Sequence, residues 1–143
     1  MTTSRWKRLG LVIAVVGFGL WLFLGRSGVE NHVDLLAKLP EADKRTNVED
    51  GPQFVVESVT IDGVTKRTVL ARTSSRIIYP LTILRDTWFD VSFAMKPETW
   101  DQPGDGAQFR VGVSDGRVYE ELLKQYVNPK RGDRRWFSAR LDL

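Results

Sequence analysis

The sequence predicts an all-β fold, an antiparallel β-sandwich of jelly-roll type, preceded by one transmembrane helix and a short amphipathic linker helix. Three observations predict it. An uninterrupted apolar run extends from Leu9 to Leu24, the hydrophobic period changes from 3.6 to 2 from about Gln53 onward, and Gly, Pro and Asp turns separate the alternating segments. In a chain of 143 residues, setting aside 1–28 and a linker over 29–52 leaves 53–143, enough for one compact core.

The opening stretch "RWKRLGLVIAVVGFGLWLFLGRSG" places Arg5, Lys7 and Arg8 before the apolar run and Arg26 after it. The run is short for a hydrocarbon core of about 30 Å, but Trp6 and Gly25 extend it and the flanking basic side chains snorkel, so membrane contact is expected over residues 6–25. Positive charge before the run predicts a single pass with a cytoplasmic N-terminus and an extracytoplasmic domain. The rival reading is a cleaved signal peptide, with Gly25 and Ser27 as the small residues of a cleavage site. Arg26 between them and the length of the run favour an uncleaved anchor, and both readings export the remainder.

The net charge of +3 also belongs to this segment: without its four basic residues the chain has 17 basic against 18 acidic side chains. That balance carries no phosphate-tracking footprint, so no nucleic-acid partner is expected. The absence of cysteine excludes disulfides, thiolate metal sites, a cysteine nucleophile and a lipidated cysteine.

In "VENHVDLLAKL" the spacing of Val29, Val33 and Leu36, with Leu35 and Leu39 beside them, predicts a short amphipathic helix. It either lies on the membrane or packs on the following domain. "PEADKRTNVEDGP" reads as a polar spacer up to Pro52, and His32, the one histidine, has no carboxylate or cysteine pattern around it and reads as a surface residue.

Beyond Gln53 the strands announce themselves by alternation. Phe89, Val91, Phe93 and Met95 fall on one face of "TWFDVSFAM", with Trp88, Asp90, Ser92 and Ala94 on the other. In "AQFRVGV", Phe109, Val111 and Val113 oppose Gln108, Arg110 and Gly112; in "RWFSARLDL", Phe137, Ala139, Leu141 and Leu143 oppose Trp136, Ser138, Arg140 and Asp142. "FVVESVTI", "RTVLART" and "RIIYPLTIL" give weaker strands, the last demoted to an edge or bulge by Pro80. "VYEELLKQYV" fits helix or strand, and the turn "SDG" before it favours strand. Six or seven short strands with turns between them read as a sandwich or jelly roll.

The succession "SSRIIYPL", "WFDVSFAMKPETW", "GDGAQFRVGVSDG" and "NPKRGDRRWFSARLDL" resembles the galactose-binding-like, carbohydrate-binding jelly-roll modules that accompany extracytoplasmic bacterial enzymes and membrane proteins. The shared features are a G-D-G-x-x-F-x-V strand from Gly104 to Val111 and a W-x5-D-L segment from Trp136 to Leu143, over Ser75 to Leu143 in all. They encode mostly turns and core positions. In the resembled modules the chain continues past "DL" into a closing strand, so the resemblance implies a longer protein truncated here, or a partner that supplies the missing strand.

Several motifs carry sharper chemistry, each with a plain architectural alternative. "GVSDG" has the G-x-S-x-G form, but a nucleophile elbow at Ser114 needs a histidine later in the chain, and none follows. A hairpin turn on Asp115-Gly116 is the alternative. "DQPGDG" from Asp101 would place Pro103 at the third and Gly112 at the twelfth position of a helix-loop-helix calcium site, which needs Glu at the twelfth. The resemblance leaves open a looser structural calcium on Asp101, Asp105 and backbone carbonyls; such Asp/Gly clusters otherwise connect strands. "RGD" at Arg131–Asp133 reads as part of a basic turn.

The outward side chains of the clear strands are Trp88, Asp90, Gln108, Arg110, Trp136 and Arg140. If their strands adjoin, they form a platform for sugars, aromatic rings stacking on apolar sugar faces while Arg, Asp and Gln take the hydroxyls. The competing reading is that the tryptophans, Trp100 included, are covered by other parts of the protein. The expected protein is thus a non-catalytic, membrane-anchored, extracytoplasmic module that binds a carbohydrate or another surface as an accessory part of a longer protein. The alternative is a structural or protein-interaction module docking an envelope protein. An enzyme would have to rely on a carboxylate pair such as Asp90 and Asp142.

Overall fold

The computed structural model describes residues 32–143. The tail and the apolar run expected to contact the membrane over 6–25 lie outside them, and among the described residues no helix is long and apolar enough to cross a membrane. Asp34–Leu143 forms one compact unit.

The unit is all-β, with antiparallel pairing throughout, and is compatible with a β-sandwich. Eight strands form four pairs. β1 (Asp43–Thr46) pairs with β4 (Ser75–Ile78), and β2 (Val55–Ile61) with β3 (Val64–Leu70). β5 (Trp88–Phe93) pairs with β8 (Phe137–Asp142), and β6 (Ala107–Ser114) with β7 (Tyr119–Val127). The β6–β7 hairpin is therefore inserted in sequence between two partner strands. The segment from Tyr119 to Val127, equally apt for a helix by its spacing, is strand because it folds back on β6 residue for residue, apart from a bulge at Val111/Gly112.

Turn chemistry fixes the two hairpins. The β2–β3 turn is the dipeptide Asp62-Gly63, both residues at positive φ (51° and 75°), the arrangement that matches the twist of the flanking strands. At the β6–β7 turn the Asp115 carboxylate accepts the backbone N–H groups of Arg117 and Val118, both at 2.8 Å, and the Ser114 hydroxyl accepts the N–H of Gly116. Ser114 is thus a turn residue. The Val118 and then the Arg117 N–H hold the Asp115 carboxyl below its usual range. A carboxyl depressed in the folded state adds stability above its unfolded value, which is lost as pH falls through its folded value. Asp115→Asn, which keeps an acceptor oxygen but no charge, is expected to flatten part of the acid limb of a melting-temperature profile measured below about pH 4.5.

Aromatic rings make the core between two of the pairs. Phe93 and Phe137, register partners on the inward face of β5–β8, stack at 5.8 Å, and Phe93 also stacks on Phe109 of β6 at 4.7 Å. β5 and β6 share no hydrogen-bond ladder, so Phe93 and Phe109 meet from separate sheets. Val127 is fully buried at the end of β7 and Ile61 is 2% exposed at the end of β2. The glycine of the "GDG" motif nearest β6, Gly106, has φ +101°, and a methyl group on it would overlap the Val127 carbonyl.

Three expectations are corrected. The helix over Val29–Leu39 is absent from its described part: His32–Asp34 is irregular, a turn follows, and only a 3-10 turn, Leu39–Glu41, is helical. The Asp34 carboxylate accepts the Leu36 and Ala37 N–H groups and closes a local turn, and Pro40 stands where a helix would continue. The polar spacer contributes β1, inside the compact unit, with Leu39 and Ala42 buried beside it. "RIIYPLTIL" is strand only to Ile78; beyond Pro80 the chain joins no strand ladder and runs irregularly to Thr87, whose carbonyl accepts the Leu143 N–H.

Candidate functional site

The β5–β8 register builds a single outward row. Asp90 is opposite Arg140 and Ser92 opposite Ser138, with Trp88 and Asp142 paired at one end. Extending the same register, Trp136 faces Ala94 at the other. Trp88 and Trp136 therefore sit at opposite ends of a row about 20 Å long. The alternation that points the phenylalanines inward turns these side chains outward.

At the Trp88 end, Arg140 donates Nε to Asp90 Oδ1 (2.8 Å) and Nη2 to Asp90 Oδ2 (2.9 Å), a two-pronged ion pair. Its guanidinium also lies 5.5 Å from the centre of the Trp88 ring. Trp88 is 49% exposed, and the side chains of Arg140 and Asp90 are 68% and 58% exposed. An ion pair so open to water contributes at most about 1 kcal/mol to folding, and the cation over the ring a similar amount. The cluster's stabilising role is small; what it presents to solvent is an oriented guanidinium-carboxylate fork beside a flat indole.

The Trp136 end has a different character. Trp136 Nε1 donates to the Val64 carbonyl (3.0 Å), and Lys66 of β3 lies 5.6 Å from the centre of its ring. Lys66 Nζ also donates to Ser92 Oγ (2.9 Å), which shares a hydrogen bond with Ser138 Oγ (2.9 Å). The β2–β3 hairpin is thereby fastened to this end of the row, and Trp136 is half-buried. Of the two readings of the tryptophans, coverage describes Trp136 and exposure describes Trp88.

Gln108 and Arg110 stand elsewhere. They lie on the exposed face of β6, away from Phe109, in the sheet that pairs with β7, and Arg110 forms an ion pair with Glu121 at 2.5 Å. The structure brings Trp88, Asp90, Arg140 and Trp136 into one row and places Gln108 and Arg110 on another pair of strands. Ser92, Ser138, Lys66 and Glu121 complete the two surfaces. Ser92 and Ser138 were visible as outward positions of their strands; nothing in the sequence announced Lys66, which reaches Ser92 through long-range packing, or Glu121, which meets Arg110 across the β6–β7 hairpin.

The loop residues read as calcium ligands have partners within the protein. Asp101 Oδ1 is held by Arg134 Nη2 at 2.6 Å, Asp105 offers its backbone carbonyl to the Tyr126 hydroxyl, and among the described residues no three His, Asp or Glu side chains converge. Trp100, in the same loop, donates Nε1 to the Met95 carbonyl (2.9 Å) beneath the Arg134 guanidinium. The "NPKRGD" segment is a knot of internal bonds in which Asp133 Oδ2 accepts the Asn128 N–H (2.9 Å) and Asn128 Oδ1 accepts the Lys130 N–H (3.0 Å). The aspartate of "RGD" is thus engaged in its own turn.

No family model, curated protein or solved structure matches this chain.

Proposed function

We propose that this protein is a membrane-anchored, extracytoplasmic, non-catalytic module that binds carbohydrate at the Trp88 end of the β5–β8 row. The observation that carries the reading is the exposed indole of Trp88 beside the Asp90–Arg140 fork. A pyranose ring presents apolar C–H faces that stack on indole and equatorial hydroxyls that a carboxylate accepts and a guanidinium donates to. The resemblance of Ser75–Leu143 to galactose-binding-like jelly-roll modules supports the same ligand class.

The test is binding of the full chain, held in a detergent without a sugar head group, to a panel of oligosaccharides with and without calcium. Saturable binding of at least one glycan, unchanged by chelation of calcium because Asp101 is engaged by Arg134, is the expected result. Failure of every glycan, with capture of an envelope protein through the Trp88 face, would favour a protein-interaction module instead.

A further inference from the structure

We infer that the irregular segment after β4, around Leu81, Ile83 and Leu84, is a second membrane contact that docks the folded domain onto the bilayer. This rests on the reading of residues 6–25 as a membrane anchor.

Leu81, Ile83 and Leu84 are 43%, 43% and 61% exposed, and Ile78 at the end of β4 is 39% exposed. Four large aliphatic side chains in seven positions of one short stretch form a concentrated apolar surface, of the kind soluble surfaces avoid unless something covers it. The stretch from Pro80 to Leu84 has no strand partner, so its apolar side chains are its offering rather than a backbone edge. Arg85 follows directly. Aliphatic side chains followed by arginine suit the boundary between acyl chains and head groups, where the first insert and the guanidinium stays among the head groups.

The tether selects a bilayer over other occupants. Ten positions separate Leu24, where the apolar run ends, from Asp34, where the compact unit begins. Fully extended, that connection reaches about 35 Å. A unit of this size has a radius of gyration of about 13 Å, so an anchored domain has its whole surface within reach of the membrane and meets lipid at very high effective concentration. An exposed aliphatic loop under those conditions partitions into the interface.

The chain contains no cysteine, so one introduced thiol is labelled uniquely. The full-length Leu84→Cys variant, carrying an environment-sensitive fluorophore, is reconstituted into vesicles of equal parts phosphatidylcholine and phosphatidylglycerol. Lys130→Cys, in the loop before β8, is the reference position. Brominated acyl chains are expected to quench the label at position 84 several-fold more than the label at 130. Equal quenching at the two positions, in protein that still floats with the vesicles, would overturn the docking while leaving the anchor intact. A label at 84 that is shielded from a water-soluble quencher but not reached by brominated acyl chains would assign the loop to a protein contact and overturn it also. Protein that fails to float would remove the anchor and the docking together.

Discussion

Phe93→Ala is expected to lower the unfolding free energy by about 3 kcal/mol, a fall in melting temperature of roughly 10 °C for a unit of this size. Phe93 is the one ring that touches both Phe137 in its own sheet and Phe109 in another, at 5.8 and 4.7 Å. Its removal forfeits two stacked contacts and leaves a space between sheets that no neighbouring backbone bond ties together. Partial exposure keeps the loss at the low end of the range for aromatic truncation. Phe93→Leu, which retains most of the volume, should cost about 1 kcal/mol. Chemical denaturation of the three proteins measures both values, and an alanine variant as stable as the leucine variant would mean that Phe93 does not join the two sheets.

The strands that carried period-2 alternation were legible in the sequence almost to the residue: β5 and β8 fall inside segments read that way and β6 runs one residue past its own, while β2 lies in a segment read as a weaker strand and β7 in one that fits helix or strand until its turn is considered. β1 was not, because "DKRT" is exposed at all four positions and has no apolar face to alternate. β3 begins earlier than its apolar residues suggest, since Val64, Thr65 and Lys66 are strand by virtue of pairing through the Asp62-Gly63 turn with Ile61, Thr60 and Val59. The site was half legible. Alternation says that Trp88, Asp90, Gln108 and Arg110 all point outward, but outward from which sheet depends on pairing, and β5 pairs with a strand 44 residues beyond its own end, not with β6. The hydrogen bond that distinguishes Trp136 from Trp88 spans 72 residues and has no local signature.

That distinction leads to the second large effect. Trp136→Ala removes the donor to the Val64 carbonyl and the ring beside Lys66, and is expected to cost about 2–3 kcal/mol of stability by loosening the β2–β3 hairpin. Trp88→Ala removes a ring that is half in solvent and whose neighbours are ion-paired to each other, and is expected to cost less than about 1 kcal/mol. For ligand binding the order reverses. Loss of the Trp88 stacking surface should weaken glycan affinity roughly tenfold or more, whereas Trp136→Ala, measured where it is still folded, should weaken it only slightly. Arg140→Lys, which keeps the charge but not the planar fork, should fall between them in binding while leaving stability nearly unchanged.

The most direct test of a binding face at the Trp88 end is a paired calorimetric titration of the natural chain and Trp88→Ala with the oligosaccharide that binds best, alongside their unfolding curves. Unfolding curves that differ by less than about 1 kcal/mol, with binding heat lost from the Trp88→Ala titration, are predicted; equal affinity in the two proteins would contradict the proposed site.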